Sequence, residues 1–196
     1  MINGSFYFNS DFNRGEMALQ LLLGSLVLIN VCLLVSVKAR GCCPNGWLVY
    51  EDSCYLFADE IKVDWTSAIH FCESHLHAHL ATVETRDEDM FLKEFARKLF
   101  KGHLAGAHDV FASFWLGASD DEVESNWVWY TNHQRLNYTS FANVAESQSP
   151  DQDCLILWGD YNMEWADDFC GANSHPICEI EIENYMSFLE NAGPIG

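Results

Sequence analysis

The stretch that decides the fold is Asp153–Ile180, which reads DCLILWGDYNMEWADDFCGANSHPICEI. It contains two short runs of aromatic and branched residues, Cys154–Trp158 and His175–Ile180. Because Asp, Asn, Ser and Gly residues separate these runs, the pattern predicts two short strands joined by turns. The stretch also holds three of the eight cysteines of the chain, Cys154, Cys170 and Cys178.

Two earlier runs of the same kind, Val110–Gly117 and Trp127–Tyr130, predict two more strands. Between Tyr130 and Cys154 no clear periodicity is found, and a loop of that length inside a compact domain is usually functional. We predict that the tryptophans of this region lie in the core rather than stack on a ligand: Trp115, Trp127, Trp129, Trp158 and Trp165.

Two helices are predicted upstream of the strands. Asp64 is a suitable N-cap for the first, whose apolar face consists of Trp65, Ala68, Ile69 and Cys72. Thr85–Glu88 is a capping box for the second, whose predicted buried stripe consists of Phe91, Leu92, Phe95, Ala96 and Leu99. On its other face, the basic cluster Lys93–Lys101 is predicted to be solvated, with two i,i+4 pairs, Asp89/Lys93 and Glu94/Lys98. Helices followed by strands indicate an α+β fold.

The composition favours one folded domain with extensions. The chain has 196 residues, 49% of them hydrophobic, which provides ample apolar surface for a core. It carries 29 Asp and Glu against 10 Lys and Arg, a formal net charge of −19. Because phosphate binding relies on clustered basic residues, this balance argues against a nucleic-acid partner. The acidity points instead to cations, basic partners or solubility.

Met17–Val37 is an almost unbroken apolar run near the N-terminus. Its length fits both a cleaved secretory signal and an uncleaved membrane anchor. Arg14 is offset by Glu16, whereas Lys38 and Arg40 follow the run, which is opposite to the basic bias of an anchor with its domain outside. We therefore expect a secreted, extracellular protein, with membrane attachment only if the segment stays uncleaved. The expected organisation is an extension with signal at 1–39, a domain at 40–180 and a tail at 181–196.

Export would place the cysteines in an oxidising compartment, where disulfides are expected. Cys32 would leave with the signal, and the remaining seven are Cys42, Cys43, Cys54, Cys72, Cys154, Cys170 and Cys178. A zinc site is the alternative, but no Cys-x-x-Cys pair supports it. Since seven is odd, one thiol is expected to be free or paired with another chain, and counting alone cannot choose the partners of the other six.

The chain contains Cys43-Pro-Asn-Gly-Trp47 near its start, Phe114-Trp-Leu-Gly117 in its middle and Pro176-Ile-Cys178-Glu179 near its end. With the motifs between them, these resemble a long-form C-type lectin-like domain over about Cys43 to Ile180. Cys43-Pro-Asn-Gly-Trp47 and then Ser53-Cys54-Tyr55 resemble its opening, and Phe114-Trp-Leu-Gly117 is similar to its Trp-Ile-Gly-Leu core strand. Further matches are Trp65, Ala68 and Phe71-Cys72, His79-Leu-Ala81, Glu88 and Phe91-Leu92, Asp153-Cys154, Trp165, Asp167 and Cys170, and Pro176-Ile-Cys178-Glu179. Secreted invertebrate lectins of the perlucin-like kind look nearest among the family's members.

The resemblance implies a C-type lectin-like fold, with two helices, small antiparallel sheets and a long loop. It also implies three disulfides, Cys43–Cys54, Cys72–Cys178 and Cys154–Cys170. Cys42 is then left over, and a disulfide-linked homodimer through it is our hypothesis, with a small-thiol cap as the alternative.

The sequence departs from the calcium motif through which family lectins bind sugars. Calcium prefers six to eight oxygen ligands. The resemblance places Ala145-Glu146-Ser147 on the family's Glu-Pro-Asn tripeptide, Gln152 on an acid, and Trp165-Ala166-Asp167 on Trp-Asn-Asp. Asp167 alone remains as a carboxylate ligand, and Gln148–Asp151 lies too close to the next cysteine to replace the tripeptide. The candidate ligand-binding residues of the loop are Glu146, Asp151, Gln152, Asp153 and Asp167.

An auxiliary calcium site of the family is partly retained, because Asp120, Glu124 and Asp153 fall on its carboxylate positions. A solvated acidic loop is the alternative interpretation of these residues. Extracellular modules with fuller ligand sets bind calcium at about 10⁻⁴–10⁻³ M. We therefore expect calcium, as the one cofactor to consider, to bind no tighter than about millimolar, without calcium-dependent binding of mannose or galactose.

The expected function is recognition of extracellular glycans or surfaces, in defence or matrix assembly, and not catalysis. The alternatives are a calcium-independent protein-binding module and an acidic biomineral matrix protein. His75, His77 and His79 alternate like zinc ligands on a strand, but no acidic partners support such a site. Asn137-Tyr-Thr139 is an N-glycosylation acceptor in the long loop.

Overall fold

The computed structural model describes residues 43–103, 113–142 and 150–191. Its strands are β1 (Leu48–Tyr50), β2 (Ser53–Phe57), β3 (His79–Leu80), β4 (Ser113–Ser119), β5 (Val128–Trp129), β6 (Cys154–Trp158), β7 (Glu164–Asp168) and β8 (His175–Glu181). Its helices are α1 (Trp65–Ser74), α2 (Arg86–His103) and α3 (Ile182–Asn191), with a 3₁₀ turn at Gly159–Tyr161. The signal segment predicted at Met17–Val37 and Cys42 lie outside these residues.

The strands form one sheet in the order β1-β2-β8-β4-β6-β7, with β3 added on β8 and β5 on β4. All neighbours are antiparallel except β4 and β8, which run parallel. β8 pairs with three strands, and its residues His175–Ile180 are all buried. The strand predicted from the end of the deciding stretch is therefore the centre of the sheet.

The two predicted helices pack on opposite faces of this sheet. Trp115 of β4 and Ile156 of β6 lie in one core cluster with the apolar face of α1. Their chain neighbours Phe114 and Leu157 lie in the other, with Leu92 and Ala96 of α2. Since side chains alternate between the faces of a strand, each strand contributes to both cores. Of the five tryptophans predicted to be core, three are buried (Trp115, Trp129 and Trp165), and Trp127 and Trp158 are half-buried.

Three disulfides cross-link the domain: Cys43–Cys54, Cys72–Cys178 and Cys154–Cys170. These are the pairs that the family resemblance implied. The second joins α1 to the central strand β8, and the third joins the start of β6 to the segment after β7. No free cysteine is present in the part of the chain that the structure describes.

Both helices begin where the caps were predicted. The Asp64 carboxylate accepts hydrogen bonds from the Ser67 amide (2.9 Å) and hydroxyl (2.8 Å), and these bonds lower the pKa of Asp64. The Thr85 hydroxyl accepts from the Glu88 amide (3.2 Å), as in a capping box. The Glu88 carboxylate, however, accepts from the Glu84 amide (2.9 Å). Its other oxygen accepts from the Tyr55 hydroxyl (2.5 Å), so this acid also ties α2 to β2.

The prediction of a solvated face on α2 is wrong for one of its two ion pairs. Asp89 and Lys93 do pair (2.8 Å), but their side chains are only 3% and 4% exposed. Glu94 and Lys98 lie 3.8 Å apart and are exposed, as predicted. The Asp89/Lys93 pair can be buried because polar partners from other segments surround it. Helical spacing alone does not reveal those partners.

Several elements were not predicted from the sequence. Strands β1, β2, β3 and β7 were missed, as was α3, which falls in the segment interpreted as a tail. Ile182 of α3 is buried, and its amide donates to the Asp52 carbonyl (2.8 Å). Within residues 43–103, 113–142 and 150–191, no helix is both long and apolar enough to cross a membrane.

Candidate functional site

The carboxylates proposed for the auxiliary calcium site share one end of the sheet. Asp120 follows the last residue of β4 and Asp153 precedes the first residue of the antiparallel strand β6. The Asp120 amide donates to the Asp153 carbonyl (3.2 Å). Asp167, near the end of β7, lies opposite Leu155 of β6 and therefore at the same end. Glu124 lies in the exposed turn that follows Asp120.

Asp120 is the most unusual member of this group. Asp120 is only 4% exposed, and its Oδ2 accepts a hydrogen bond from the Ser125 amide (2.8 Å). Its Oδ1 is buried and has no hydrogen-bond partner. Burial raises the pKa of Asp120, and repulsion from Glu124 and Asp153 raises it further. An unpaired buried carboxylate oxygen is costly, and a proton or a cation would relieve that cost.

Asp167 is held in a similarly unfavourable environment. Burial raises the pKa of its carboxyl to about 6, with added repulsion from Asp120, Glu124 and Asp168. The candidate residues are therefore close enough to interact electrostatically.

Proximity does not by itself make a metal site. Among the residues that the structure describes, no group of three or more His, Cys, Asp or Glu side chains could hold a metal ion. The orphan oxygen of Asp120 fits a cation, but the side chains around it do not complete a ligand set. The structure therefore brings Asp120 within electrostatic range of Glu124 and Asp153 without assembling the three into a metal site.

The other family calcium positions carry groups that coordinate poorly. Ala166 is completely buried and offers only a methyl group where the family has an amide. The Gln152 side chain hydrogen-bonds the Asp168 carboxylate, and the Phe169 amide donates to the same carboxylate (2.8 Å). Asp151 is exposed. The remaining loop candidates, Glu146 together with Ala145, Ser147 and Gln148, lie outside the described residues.

A set of residues that sequence reasoning missed supports the base of the long loop. We call it the loop-base network, and it consists of Asp89, Lys93, Tyr138, Ser140, Glu164 and Trp165. Lys93 Nζ lies 2.8 Å from Asp89 Oδ2, 2.6 Å from Glu164 Oε2 and 2.7 Å from Ser140 Oγ. The Trp165 indole donates to Asp89 Oδ1 (2.7 Å), and the Tyr138 hydroxyl donates to Asp89 Oδ2 (3.0 Å). The only sequence signal was the Asp89/Lys93 spacing, which a solvated pair shares.

A second acidic cleft, of about 220 Å³, opens between β1, β2, β8 and the start of α2. Six carboxylates line it: Glu51, Asp52, Glu84, Glu88, Glu179 and Glu181. The buried Glu179 accepts from the Thr82 amide (3.0 Å) and hydroxyl (3.2 Å), and Tyr55 bonds both Glu88 and Glu179. Because the buried carboxylates have partners inside the protein, their contacts serve to join β2, β8 and α2.

The two remaining sequence candidates are the histidine cluster and the glycosylation acceptor. His77 contacts the ring of Phe188 in α3, and His79 pairs with Glu181 at 3.5 Å. Asn137 is exposed, next to the anchored Tyr138. The acceptor asparagine is therefore accessible on the domain surface.

Replacing Asp167 by asparagine should change the pH dependence of stability. Because its pKa is raised from about 3.9 to about 6 on folding, the folded state binds more protons between these pH values, and its free energy of unfolding falls as pH rises through them. In Asp167→Asn that fall should become smaller, and the protein should be more stable near neutral pH. Urea unfolding at several pH values tests this, with exposed Asp160→Asn as the control. An unchanged pH slope in Asp167→Asn would contradict the assignment.

Comparisons with known proteins agree with this architecture. The family model "Lectin C-type domain" matches residues 61–180. Perlucin from Haliotis laevigata is 34% identical over 149 residues, which cover 75% of this chain and 88% of perlucin. A perlucin-like protein of Mytilus galloprovincialis is 25% identical over 131 residues, covering 67% of this chain and 78% of that protein. These relatives confirm the predicted resemblance to perlucin-like lectins.

Solved structures show the same fold. The carbohydrate-recognition domain of the mouse scavenger receptor C-type lectin is 29% identical, with a TM-score of 0.57, and the match covers 71% of this chain and 96% of that domain. Human lithostathine is 25% identical with a TM-score of 0.61, covering 74% of this chain and 94% of that protein. The predicted α+β, disulfide-bonded lectin-like fold is confirmed, with α3 as an addition. The chain belongs to the C-type lectin domain family.

Proposed function

We propose that the domain recognises extracellular glycans and that calcium binds to it only weakly and does not carry the recognition. Family membership supports the first part, since a similar solved domain is described as a carbohydrate-recognition domain. The second part is supported by the donor set described above. Asp120 is repelled by Glu124 and Asp153, and Asp167 is repelled by Asp120 and Glu124, yet these carboxylates do not assemble a group that could hold a metal.

The chemistry of calcium explains why this arrangement binds it poorly. Calcium requires six to eight oxygens at about 2.3–2.6 Å, and each missing carboxylate lowers its affinity. The buried methyl group of Ala166 cannot rotate to supply an oxygen. Asp120, Glu124 and Asp153 would contact a weakly bound ion, and that ion would offset the repulsion between them.

Recognition without a metal must then use polar and aromatic groups of the loop and its surroundings. Such groups bind sugars by hydrogen bonds to hydroxyls and by packing of a ring against the apolar face of the sugar. Tyr130 and Phe169 are 47% and 51% exposed, so their rings are accessible for such contacts. They are the aromatic side chains that we would substitute first once a glycan is identified.

A glycan array probed with the secreted protein, with millimolar calcium and with chelator, tests the proposal. We expect the same glycans to be bound under both conditions. Loss of all binding in chelator would contradict the calcium part, whereas no binding under either condition would contradict glycan recognition and favour a protein ligand. Asp120→Asn is the matched variant, because it should abolish the weak calcium binding that we expect calorimetry to detect in the wild type, and it should leave glycan binding unchanged.

We further propose that the protein is exported, that its mature chain begins near Arg40, and that Asn137 carries a glycan. The apolar run before Arg40, the three disulfides and the exposure of Asn137 support this proposal. Cys42 would then be a single thiol at the start of the mature chain, available to link two copies. Peptide mapping and a non-reducing gel of secreted protein, compared with Cys42→Ser, decide these points. A retained apolar segment, or wild type that runs only as a monomer, would contradict export or linkage respectively.

A further inference from the structure

We propose that Lys93 is a positioning residue whose ammonium group acts as a built-in cation and holds the base of the long loop in place without calcium. Its oxygen ligands come from three separate segments: Asp89 from α2, Ser140 from the loop and Glu164 from β7. A metal ion could join three segments in the same way, but here the charge is attached covalently to α2. The inference rests on the proposed function, because it explains how the described base of the loop, Tyr138–Ala142, is held for recognition.

The burial of the network gives these contacts their strength. The side chains of Lys93 and Asp89 are 4% and 3% exposed. Away from water, charged hydrogen bonds are strong and an unpaired partner is costly. A buried ion network is nevertheless a weak source of net stability compared with apolar packing, and fixing one arrangement of the chain is its best-attested use. Here the arrangement that the network would fix is the contact of α2 with Ser140 and with Glu164 of β7.

On the loop side, the described base runs from Tyr138 to Ala142 and is attached to β7 at several points. The Ala142 amide donates to the Trp165 carbonyl (2.9 Å), and the Trp165 amide donates to the Ser140 carbonyl (3.2 Å). The rings of Tyr138 and Phe141 both pack edge-on against Trp165, with centroids 5.7 Å apart in each case. The Ser140 hydroxyl that binds Lys93 therefore belongs to a segment whose backbone pairs with β7.

The network also reaches β7, the strand that carries Asp167 of the acidic group. β7 extends from Glu164, a Lys93 ligand, to Asp168, with Asp167 between them. Arg97, one turn further along α2, donates two hydrogen bonds to the Asn162 carbonyl (2.9 and 2.7 Å) and lies 3.6 Å from Glu164. The helix therefore holds the β6–β7 connection and the first residue of β7 together.

The exposed Glu94/Lys98 pair on the same helix offers a matched control. Lys93→Met keeps the apolar stem and removes the charge, whereas Lys98→Met does the same where the side chain is 70% exposed. Because Lys93→Met leaves two carboxylates without their cation and could unfold the domain, Ser140→Ala is the second variant. It removes the Ser140 hydroxyl, with its hydrogen bonds to Lys93 (2.7 Å), Glu164 (3.4 Å) and Tyr138, and keeps the ion pairs of Lys93 with Asp89 and Glu164.

The experiment is hydrogen exchange of the Ala142 and Trp165 amides, with the Ala68 amide of α1 as an internal reference. We expect exchange at the loop base to rise about tenfold in Ser140→Ala, the equivalent of one hydrogen bond to a charged group, with Ala68 and the Lys98→Met control unchanged. In wild type, exchange at the loop base should be the same with calcium and with chelator. Equal acceleration of Ala68 would show a merely structural role, and acceleration of the wild-type loop base by chelator would show that calcium orders it; either result overturns the proposal.

Glycan affinity provides the functional readout. For a glycan selected on the array, we expect Ser140→Ala to bind about tenfold more weakly than wild type, and Lys98→Met to bind equally well. Unchanged affinity in Ser140→Ala would overturn the role in positioning. Because the exchange measurement needs no ligand, failure of wild type to bind any glycan would count against the proposed function and leave the test of Lys93 intact.

Discussion

Replacing Gly117 by alanine should lower the free energy of unfolding by about 3 kcal/mol or more, because a methyl group has no room there. A Cβ at this position would lie 2.6 Å from the Leu80 carbonyl oxygen and 3.2 Å from Leu80 Cβ. The obstacle is backbone, which cannot move aside as a flexible side chain could. Leu80 pairs with Cys178 on the central strand, and the Gly117 amide donates to the Ala81 carbonyl (2.9 Å).

Urea unfolding of Gly117→Ala measures this effect, and Gly171→Ala is its control. A Cβ at Gly171 would have no atom within 4 Å. Gly171→Ala should therefore be neutral or slightly stabilising, since alanine restricts the unfolded chain. Equal losses in the two variants would show that the close approach of β4 to Leu80 does not exist.

Removal of the Cys72–Cys178 disulfide should cost about 4–5 kcal/mol, more than removal of either other disulfide. It closes a loop with a sequence separation of 106, against 16 for Cys154–Cys170 and 11 for Cys43–Cys54. In the chain-entropy model a longer loop constrains the unfolded state more. Both sulfurs are also completely buried between α1 and β8, so their removal leaves a small cavity as well.

Double alanine variants of each disulfide, unfolded in urea under identical conditions, give the order of the three losses. We expect removal of Cys72–Cys178 to cost the most and removal of Cys43–Cys54 to cost the least. If removing Cys43–Cys54 costs more than removing Cys72–Cys178, the entropic ranking is wrong. The hairpin β1–β2 would then contribute more to stability than its short disulfide loop predicts.

The parts of the fold that could be predicted are those in which local signals and burial agree. Asp64 and the apolar face after it predicted α1, because cap, spacing and buried face lie in one short segment. The run Cys154–Trp158 gave its strand with the correct bounds. Helix α3 was missed because only Ile182 of its residues is buried, so its sequence carries a weak core signal.

The sequence could predict which residues belong to the candidate site, but not how they are arranged. A family resemblance identified Asp120, Glu124 and Asp153, whereas their repulsion and the orphan oxygen of Asp120 depend on three-dimensional distances. Lys93 was misinterpreted for a related reason. Charged residues at i,i+4 spacing are usually solvated, and the partners that allow this pair to be buried, Ser140 and Glu164, lie far away in sequence.

The measurement that tests the central claim most directly is the affinity of one array-selected glycan, titrated on the same protein with millimolar calcium and with chelator. If recognition does not depend on the carboxylates around Asp120 holding a metal, the two dissociation constants should agree within about twofold. Binding that disappears in chelator and returns when calcium is restored would contradict the account. It would show that a calcium site assembles in this domain from a ligand set fuller than Asp120, Glu124 and Asp153.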